Sequence, residues 1–297
     1  MSEHSRRDFL KGTLAAGVVA GNPRWATAAP RRSATDWVTL GNSGVKVTRL
    51  AFGTGSYGGK VQRELGQEGF TGLVRHAYDR GIRFFESADA YSEMHEMLAI
   101  ALRGLPRDSY RLMTKYRLRE PEDPKATIDR FRRELESEYF DILLLHCVRA
   151  PDWAEQYKRL RDALSEAKDR KVILAHGASC HGLLPLRAFP ANTNWLDVAL
   201  LRVNHVGTRM DTLKQTDTDD LGDVNEVVGH IKQVRAKGTA VIGMKIMGEG
   251  QFRTPEQRDA SIRFVTRLGA VDAVTIGYKS AAEIDEAIER LNTHLNA

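Results

Sequence analysis

Short apolar runs alternate with helical patterns along most of the chain. Eight runs are bounded by glycine or polar residues, which is typical of strands that are buried on both faces. These runs are 50–55, 83–87, 110–115, 140–146, 172–179, 197–204, 240–247 and 273–278. Between several of them, apolar residues recur at a spacing of three or four, which indicates helices with one buried face. Strands that alternate with helices predict parallel pairing through right-handed crossovers.

The count of eight strands predicts a closed (β/α)8 barrel, the TIM barrel of the α/β class. An alternating segment over 37–50 with the turn GNSG predicts a β-hairpin at the N-terminal end of the barrel. The alternative is an open doubly wound sheet, which carries a G-x-G-x-x-G turn after an early strand. Residues 53–59 (GTGSYGG) have a different glycine order, so the barrel is favoured.

The first thirty residues differ from the rest. Residues 5–11 (SRRDFLK) resemble the twin-arginine export motif, a short apolar run follows over 12–21, and residues 26–28 (ATA) suit cleavage. We therefore predict a signal peptide over 1–28, a linker over 29–36 and the barrel over 37–297. The alternative is a basic tail that matches the motif by chance.

The export motif implies that the protein meets the twin-arginine export machinery, and that its location is periplasmic or otherwise exported. No stable membrane anchor is expected after processing, because the apolar run is far shorter than the roughly 20 residues that span a bilayer. Net charge is +5, and no concentrated basic stripe is present, so we do not predict a nucleic acid partner. A mild basic excess still suits an anionic ligand such as a dinucleotide.

Polar residues fall at the ends of successive predicted strands. Glu86 ends the second strand, with Tyr91 in the loop after it, Lys115 ends the third and His146 ends the fourth. The carboxyl ends of barrel strands meet at one mouth, so we expect these four side chains to converge. Each also has an ordinary structural explanation: a salt bridge for Glu86 and Lys115, loop packing for Tyr91, and a hydrogen-bonded core position for His146.

This set of side chains suits proton delivery to a carbonyl oxygen. A lysine ammonium lowers the pKa of a neighbouring tyrosine, and a carboxylate keeps the lysine charged. An imidazole beside the hydroxyl can donate to a developing oxyanion. No side chain donates hydride, so a nicotinamide or flavin cofactor is implied.

The chain resembles the aldo-keto reductases over about residues 37–292. The resemblance is carried by the hairpin, by FFESADAY at 84–91, and by the strand ends TK, DILLLH and GAS. It implies reduction of an aldehyde or ketone with NADPH, or with NADH, and with Tyr91 as proton donor. It further implies that Lys115 tunes Tyr91, that Glu86 supports Lys115 and that His146 orients the carbonyl.

The resemblance also implies cofactor contacts. Ser179 and Asn204 fall where the family holds the nicotinamide carboxamide, and Lys279 and Ser280 fall where it grips the adenosine phosphate. Three features depart from the family. Glu86 replaces the usual aspartate, Met244 or Lys245 replaces an aromatic residue, and the arginine often found after Ser280 is absent. The choice between NADP and NAD therefore stays open, with NADP favoured.

Other interpretations remain at this point. A catalytically weak barrel that binds nicotinamide nucleotide, as a sensor or partner subunit, is favoured by Glu86 and the altered seventh strand. A metal-assisted hydrolase would use His146, Cys147, Cys180 and His181, but their spacing matches no zinc pattern, so we predict no metal site. The two cysteines follow neighbouring strands, and an exported protein could join them in a disulfide. The long polar segment 205–222 is either a lid or a surface excursion, and its acids, Asp217 and Asp219 among them, hint at calcium.

Overall fold

Eight parallel strands close into a barrel in the computed structural model, which describes residues 31–117, 119, 121–214 and 220–297. The predicted signal peptide, and Asp217 and Asp219 of the long polar segment, lie outside the described residues. The predicted fold class, a (β/α)8 barrel with an N-terminal hairpin, is confirmed.

All eight predicted strands are present. The largest disagreement is at the seventh, which was expected to run to 247 and ends at Met244. The barrel strands are β3 (Leu50–Gly53), β4 (Phe84–Glu86), β5 (Arg111–Tyr116), β6 (Phe140–Val148), β7 (Ile173–Cys180), β8 (Val198–Arg202), β9 (Ala240–Met244) and β10 (Ala273–Gly277). They pair in chain order, and β10 closes the ring by pairing with β3 in register Val274 to Leu50.

The hairpin consists of β1 (Trp37–Thr39) and β2 (Lys46–Thr48), which pair antiparallel. Its apolar residues Leu40, Val45 and Val47 are buried in the same cluster as the residues that fill the barrel interior. The hairpin turn is also bonded to the chain just before β9, since the Asn42 amide donates to the Gly238 carbonyl at 2.9 Å. The hairpin therefore covers the amino end of the barrel, opposite to the mouth.

Helices surround the barrel. They are α1 (Lys60–Arg63), α2 (Gly66–Asp79), α3 (Met94–Leu102), α4 (Pro124–Glu134), α5 (Trp153–Gln156), α6 (Lys158–Asp169), α7 (Leu183–Ala188), α8 (Val224–Ala236), α9 (Pro255–Arg267) and α10 (Ala281–Leu295). At the start of α9, Thr254 and Gln257 form a complete capping box, in which the side chain of each bonds the backbone of the other. At the start of α10, the Ser280 hydroxyl accepts a hydrogen bond from the Glu283 backbone amide. The Glu283 carboxylate accepts from the backbone amide of Lys279 and not from that of Ser280, so this capping box is only half formed.

Successive strand residues point to opposite faces, which divides the core in two. On β4, Phe84 belongs to the cluster inside the barrel, whereas Phe85 belongs to the cluster between strands and helices. Glu86, two positions after Phe84, therefore faces the interior at the mouth. Among the described helices, none is long and apolar enough to cross a membrane.

Candidate active site

Period-two alternation brings the predicted residues to one layer at the barrel mouth. Glu86, Lys115 and His146 each follow an interior residue by two positions, namely Phe84, Met113 and Leu144. The structure thus brings these three side chains together with Tyr91, which lies in the loop after β4. The roles expected of the four residues in catalysis stay predictions.

Glu86 and Lys115 form a buried ion pair. The Lys115 ammonium contacts Oε1 of Glu86 and donates to the Ser87 carbonyl at 2.7 Å, and the two side chains are 2% and 5% exposed. The glutamate at the position of the family's usual aspartate therefore still reaches the lysine. Burial lowers the pKa of Lys115 well below its usual range, and the nearby ammonium of Lys245 acts in the same direction.

Tyr91 is held between the lysine and the histidine. The Lys115 nitrogen lies 4.8 Å from the centre of the Tyr91 ring, and the His146 ring meets it edge-on with centroids 5.5 Å apart. Burial raises the pKa of Tyr91 above its usual value, and the charges of Glu249 and Asp89 add to that effect. The structure thus differs from the expected lowering by lysine, because burial has the largest effect on the pKa of Tyr91. Tyr91 consequently keeps its proton at neutral pH.

His146 is neutral in this environment. Burial lowers its pKa to about 4, and the Lys115 charge acts in the same direction, whereas Asp89 opposes both. Asp89 lies 3.8 Å from Nδ1 of His146, which is beyond a hydrogen bond. Its carboxylate instead accepts from the Arg117 amide at 3.1 Å and from Arg119 at 2.9 Å. Asp89 therefore holds the loops of the mouth and does not take the place of Glu86 beside Lys115.

Ser179 and Asn204 are buried and bonded within the protein. Ser179 accepts from the Cys147 amide at 2.7 Å and donates to the Leu145 carbonyl at 3.3 Å. The Asn204 amide group donates to Thr208 and Lys245 carbonyls, and its oxygen accepts from two amides of the following loop. Their expected contact with a nicotinamide carboxamide stays a prediction.

Two cavities meet at the mouth. The inner one is lined by Glu86, Tyr91, Lys115, Met244 and Lys245. It shares lining residues with an outer cavity of about 550 Å³, which extends to the start of α10. The shared residues are Ser56, Met247, Glu249, Gly250, Ile276 and Gly277. An extended ligand can therefore run from Tyr91 to the edge of the barrel.

Cations line the far end of the outer cavity. Lys279 is 70% exposed there, while Ser280 is engaged in capping α10. Arg258 is held by Glu286 through two bonds of 2.8 and 3.1 Å, but Arg253 is exposed beside it. Arg253 was missed by the sequence reasoning, which looked for an arginine after Ser280. It comes from the loop before α9, and no local signal connects that loop with Lys279.

The cysteines are buried free thiols, so the possible disulfide is not formed in this structure. Cys147 has a left-handed backbone (φ 63°), and its neighbour Val148 pairs with Cys180. Across the part of the chain that the structure describes, no group of three or more His, Cys, Asp or Glu side chains is placed to hold a metal ion.

Three other residues shape the mouth, and the sequence singled out only Lys245 among them, as a departure from the family. Thr275 donates to Glu86, Gly55 lies against the Tyr91 hydroxyl, and Lys245 enters the inner cavity. Thr275 follows the interior residue Ala273 by two positions, so the alternation that places Glu86 could have found it. Gly55 and Lys245 depend on backbone geometry that the sequence does not display.

Comparison with known proteins defines the class of this barrel. The family model for the aldo/keto reductase family matches residues 49–297, and the model for the twin-arginine translocation signal sequence matches residues 3–21. The chain therefore belongs to the aldo-keto reductase family. The predicted twin-arginine signal is confirmed.

Individual relatives agree with this assignment. A soybean (Glycine max) protein named Probable aldo-keto reductase 1 is 26% identical over 174 residues, which cover 51% of this chain and 49% of the relative. A Pseudomonas aeruginosa structure assigned to the aldo-keto reductases has a TM-score of 0.71 at 20% identity, with 89% and 98% of the two chains covered. A Klebsiella pneumoniae aldo-keto reductase in complex with NADPH has a TM-score of 0.64 at 15% identity, with 89% and 90% covered. The chain spans half or less of the length of the curated relatives it matches, and the structural likenesses show the fold alone.

Proposed function

We propose that this protein reduces an aldehyde or ketone with Tyr91 as the proton donor and NADPH as the preferred cofactor. The observation that carries this proposal is the placement of Tyr91 on the inner cavity, against the buried Lys115–Glu86 pair and the neutral His146. The family membership supplies the reaction class.

The electrostatics of Tyr91 support its role as an acid. Its raised pKa keeps the hydroxyl protonated, and the Lys115 ammonium beside its ring favours the phenolate that forms when the proton leaves. His146, being neutral, can donate one N–H to the carbonyl oxygen without adding a charge. A bound reduced nicotinamide would supply the hydride that becomes bonded to the carbonyl carbon. The oxygen takes its proton from Tyr91, which is reprotonated from solvent.

The two connected cavities support an extended dinucleotide. Lys279 and Arg253 present two cations at the edge of the barrel, where a 2′-phosphate would favour NADPH over NADH. Replacement of Arg253 by methionine is expected to weaken NADPH binding roughly tenfold and to leave NADH binding nearly unchanged. Arg133→Met, at an exposed site on α4, is the matched control. Equal affinities for the two cofactors in the unmodified protein would contradict the preference.

The signal sequence supports action outside the cytoplasm. Because twin-arginine export carries folded proteins, the cofactor can be bound before export. We propose a periplasmic or otherwise exported location for the mature protein, which fractionation of the producing cells would test. Recovery of the processed protein only with the cytoplasm would contradict it.

The central experiment is a fluorescence titration of the folded mature protein, freed of cofactor, with NADPH and with NADH, followed by a scan of simple aldehydes and quinones. We expect binding with turnover. Tyr91→Phe should abolish turnover and leave nucleotide binding nearly intact, while Tyr139→Phe, just before β6 and away from the mouth, should change neither. Full activity of Tyr91→Phe would contradict the proton donor, and binding without turnover in the unmodified protein would favour the nucleotide sensor.

A further inference from the structure

A buried chain of hydrogen bonds connects the helix that follows Tyr91 with the strand that carries Lys115. Nδ1 of His95 lies 2.8 Å from Oε2 of Glu134, and Nε2 of His95 lies 2.7 Å from the Thr114 hydroxyl. His95 is 3% exposed and Thr114 is fully buried. The three side chains belong to α3, α4 and β5, so the chain of bonds crosses the layer between the barrel and its helices.

The sequence neighbours of this contact are the residues of the site. His95 lies in the first turn of α3, four residues after Tyr91, and the Met94 amide donates to the Tyr91 carbonyl at 3.0 Å. Thr114 directly precedes Lys115 on β5 and faces the helices, whereas Lys115 faces the barrel interior. The bond between His95 and Thr114 therefore joins the backbone beside Tyr91 to the backbone beside Lys115.

The carboxylate of Glu134 fixes the orientation of the imidazole. Burial acts to raise the pKa of Glu134, but hydrogen bonds from His95 and Arg130 outweigh it and lower that pKa, so the group is ionised at neutral pH. An ionised carboxylate only accepts, so Nδ1 of His95 carries a proton and donates it. In the neutral ring, Nε2 then accepts from the Thr114 hydroxyl. The Phe131 ring meets the imidazole edge-on, with centroids 5.1 Å apart, so the imidazole is held on three sides.

This network restricts where Tyr91 and Lys115 can lie. A buried polar network in which every member is bonded rigidifies one arrangement of the elements that it joins. The Lys115 nitrogen lies 4.8 Å from the centre of the Tyr91 ring, and reacting groups must be held within about 0.5 Å of their productive geometry. A backbone bond of 3.1 Å from the Asp89 amide to the Lys115 carbonyl holds the start of the Tyr91 loop on β5, and His95 holds its end.

We propose that His95 is a positioning residue for the proton transfer at Tyr91. Through its bond to Thr114 it sets where the Lys115 ammonium lies, and Glu134 keeps it in the required tautomer. This inference rests on the proposed carbonyl reduction at Tyr91. The order of the three partners is that of a hydrolase triad, but Thr114 is fully buried, so its hydroxyl positions a neighbour and does not attack a substrate.

The first test is Thr114→Val, which removes the hydroxyl and nearly keeps the volume. With NADPH and 4-nitrobenzaldehyde we expect kcat to fall roughly tenfold, because a small misplacement of a reacting group reduces the rate strongly. The Kd for NADPH and the KM for the aldehyde should stay within about twofold. Thr114→Ser restores the hydroxyl and should restore most of kcat. Thr239→Val, which removes a buried hydroxyl bonded at 2.7 Å just before β9, is the matched control and should keep its kcat.

A double-variant cycle shows whether the effect passes through Lys115. In a Lys115→Met background, Thr114→Val should change the residual kcat by less than about twofold, because the group that it positions is gone. An equal loss of kcat in both backgrounds would overturn the proposal, as would an unchanged kcat in Thr114→Val alone. A parallel loss of kcat and of NADPH affinity that serine does not restore would show a merely structural role and would also overturn it.

A variant at the other end of the network keeps the test decisive if Thr114→Val folds poorly. Glu134 is 20% exposed, and Glu134→Gln replaces the charged acceptor by a weaker neutral one, so we expect kcat to fall about threefold at unchanged NADPH affinity. Glu134 also pairs with Arg130 one turn away at 2.5 Å. The matched control is Glu166→Gln on α6, because Glu166 pairs in the same way with Arg170 and should keep its kcat. Equal kcat values in the two glutamine variants would overturn the role of Glu134.

Crystal structures separate this inference from the proposed reduction. In Thr114→Val we expect the distance from the Lys115 nitrogen to the centre of the Tyr91 ring to change by about 0.5 Å or more, and in Glu134→Gln by less. An unchanged distance in both variants would overturn the positioning role. A changed distance in an unmodified protein that turns over no aldehyde would leave the positioning role standing and would instead remove the proposed reduction.

Discussion

The Thr275 hydroxyl donates a hydrogen bond of 3.2 Å to Oε2 of Glu86, although the two residues lie 189 positions apart in the chain. They belong to β10 and β4, which flank β3 in the barrel. The bond passes over Gly53, where a Cβ would come within 2.7 Å of the Thr275 oxygen and 3.0 Å of Oε2. The carboxylate is thus fixed from two sides, by Lys115 and by Thr275.

Thr275→Val should loosen Glu86 without removing it. We expect kcat to fall several-fold and the free energy of unfolding to fall by about 1–2 kcal/mol, since one buried acceptor loses its donor. Steady-state kinetics and urea unfolding measure the two effects. Thr239→Val is the control, because Thr239 donates a buried hydrogen bond of 2.7 Å just before β9, away from the mouth. Thr239→Val should lose stability and keep its kcat. Equal kcat values in Thr275→Val and Thr239→Val would contradict the idea that Thr275 positions Glu86.

The Glu86–Lys115 pair should show strong energetic coupling. Glu86→Gln or Lys115→Met alone leaves a buried partner unmatched, which typically costs about 3–5 kcal/mol in the free energy of unfolding. In a double-mutant cycle measured by urea unfolding, the free energy of unfolding of the double variant should fall by roughly 1–3 kcal/mol less than the sum of the two single losses. The exposed pair Lys158 and Asp162, at 2.6 Å, is the control cycle and should show coupling near zero. Additive losses at Glu86 and Lys115 would show that the pair is not coupled.

Gly55 leaves space for the Tyr91 hydroxyl. A Cβ at Gly55 would come within 2.6 Å of that oxygen, so Gly55→Ala should displace it. Because small misplacements of a reacting group reduce rates strongly, we expect kcat to fall at least about tenfold while nucleotide binding changes little. Gly72→Ala on α2, where the added Cβ meets open space, should keep kcat and gain about 0.5–1 kcal/mol in stability. An unchanged kcat in Gly55→Ala would contradict the contact.

Protonation of His146 should destabilise the fold. Its pKa is about 4 in the folded protein, against about 6.5 in the unfolded chain. Between those values the unfolded state binds more protons, so the contribution of neutral His146 is complete above pH 6.5 and is lost as the pH falls towards 4. From pH 7 to pH 4.5, we expect the free energy of unfolding to drop by about 2–3 kcal/mol more in the unmodified protein than in His146→Gln. Parallel pH curves for the two proteins would contradict this prediction.

The barrel could be predicted from the sequence because parallel strands buried on both faces are continuous apolar runs. The same alternation could place Glu86, Lys115 and His146 in one layer. It could not show that Asp89 bonds Arg119, since that contact depends on the path of two loops. It also could not show the left-handed backbone of Lys245 and Glu249, because neither residue type signals one.

The electrostatic part of the site was the least predictable. A lysine beside a tyrosine suggests a lowered tyrosine pKa, yet burial dominates at Tyr91 and the pKa is raised. How deeply Tyr91 is buried is set by contacts between distant segments, which the sequence does not display.

The hairpin at the amino end of the barrel has a consequence for the order of events during synthesis. Leu40 and Val47, which are synthesised early, are buried in the same cluster as Ala240 and Ala273, which are synthesised about two hundred residues later. Contacts this distant in sequence form slowly and only after most of the chain exists. The contacts that close the amino end of the barrel therefore form late. A chain that ends before β9 would leave the apolar residues of the hairpin exposed. The export signal belongs to a pathway that carries folded proteins, so these contacts would have to form before export.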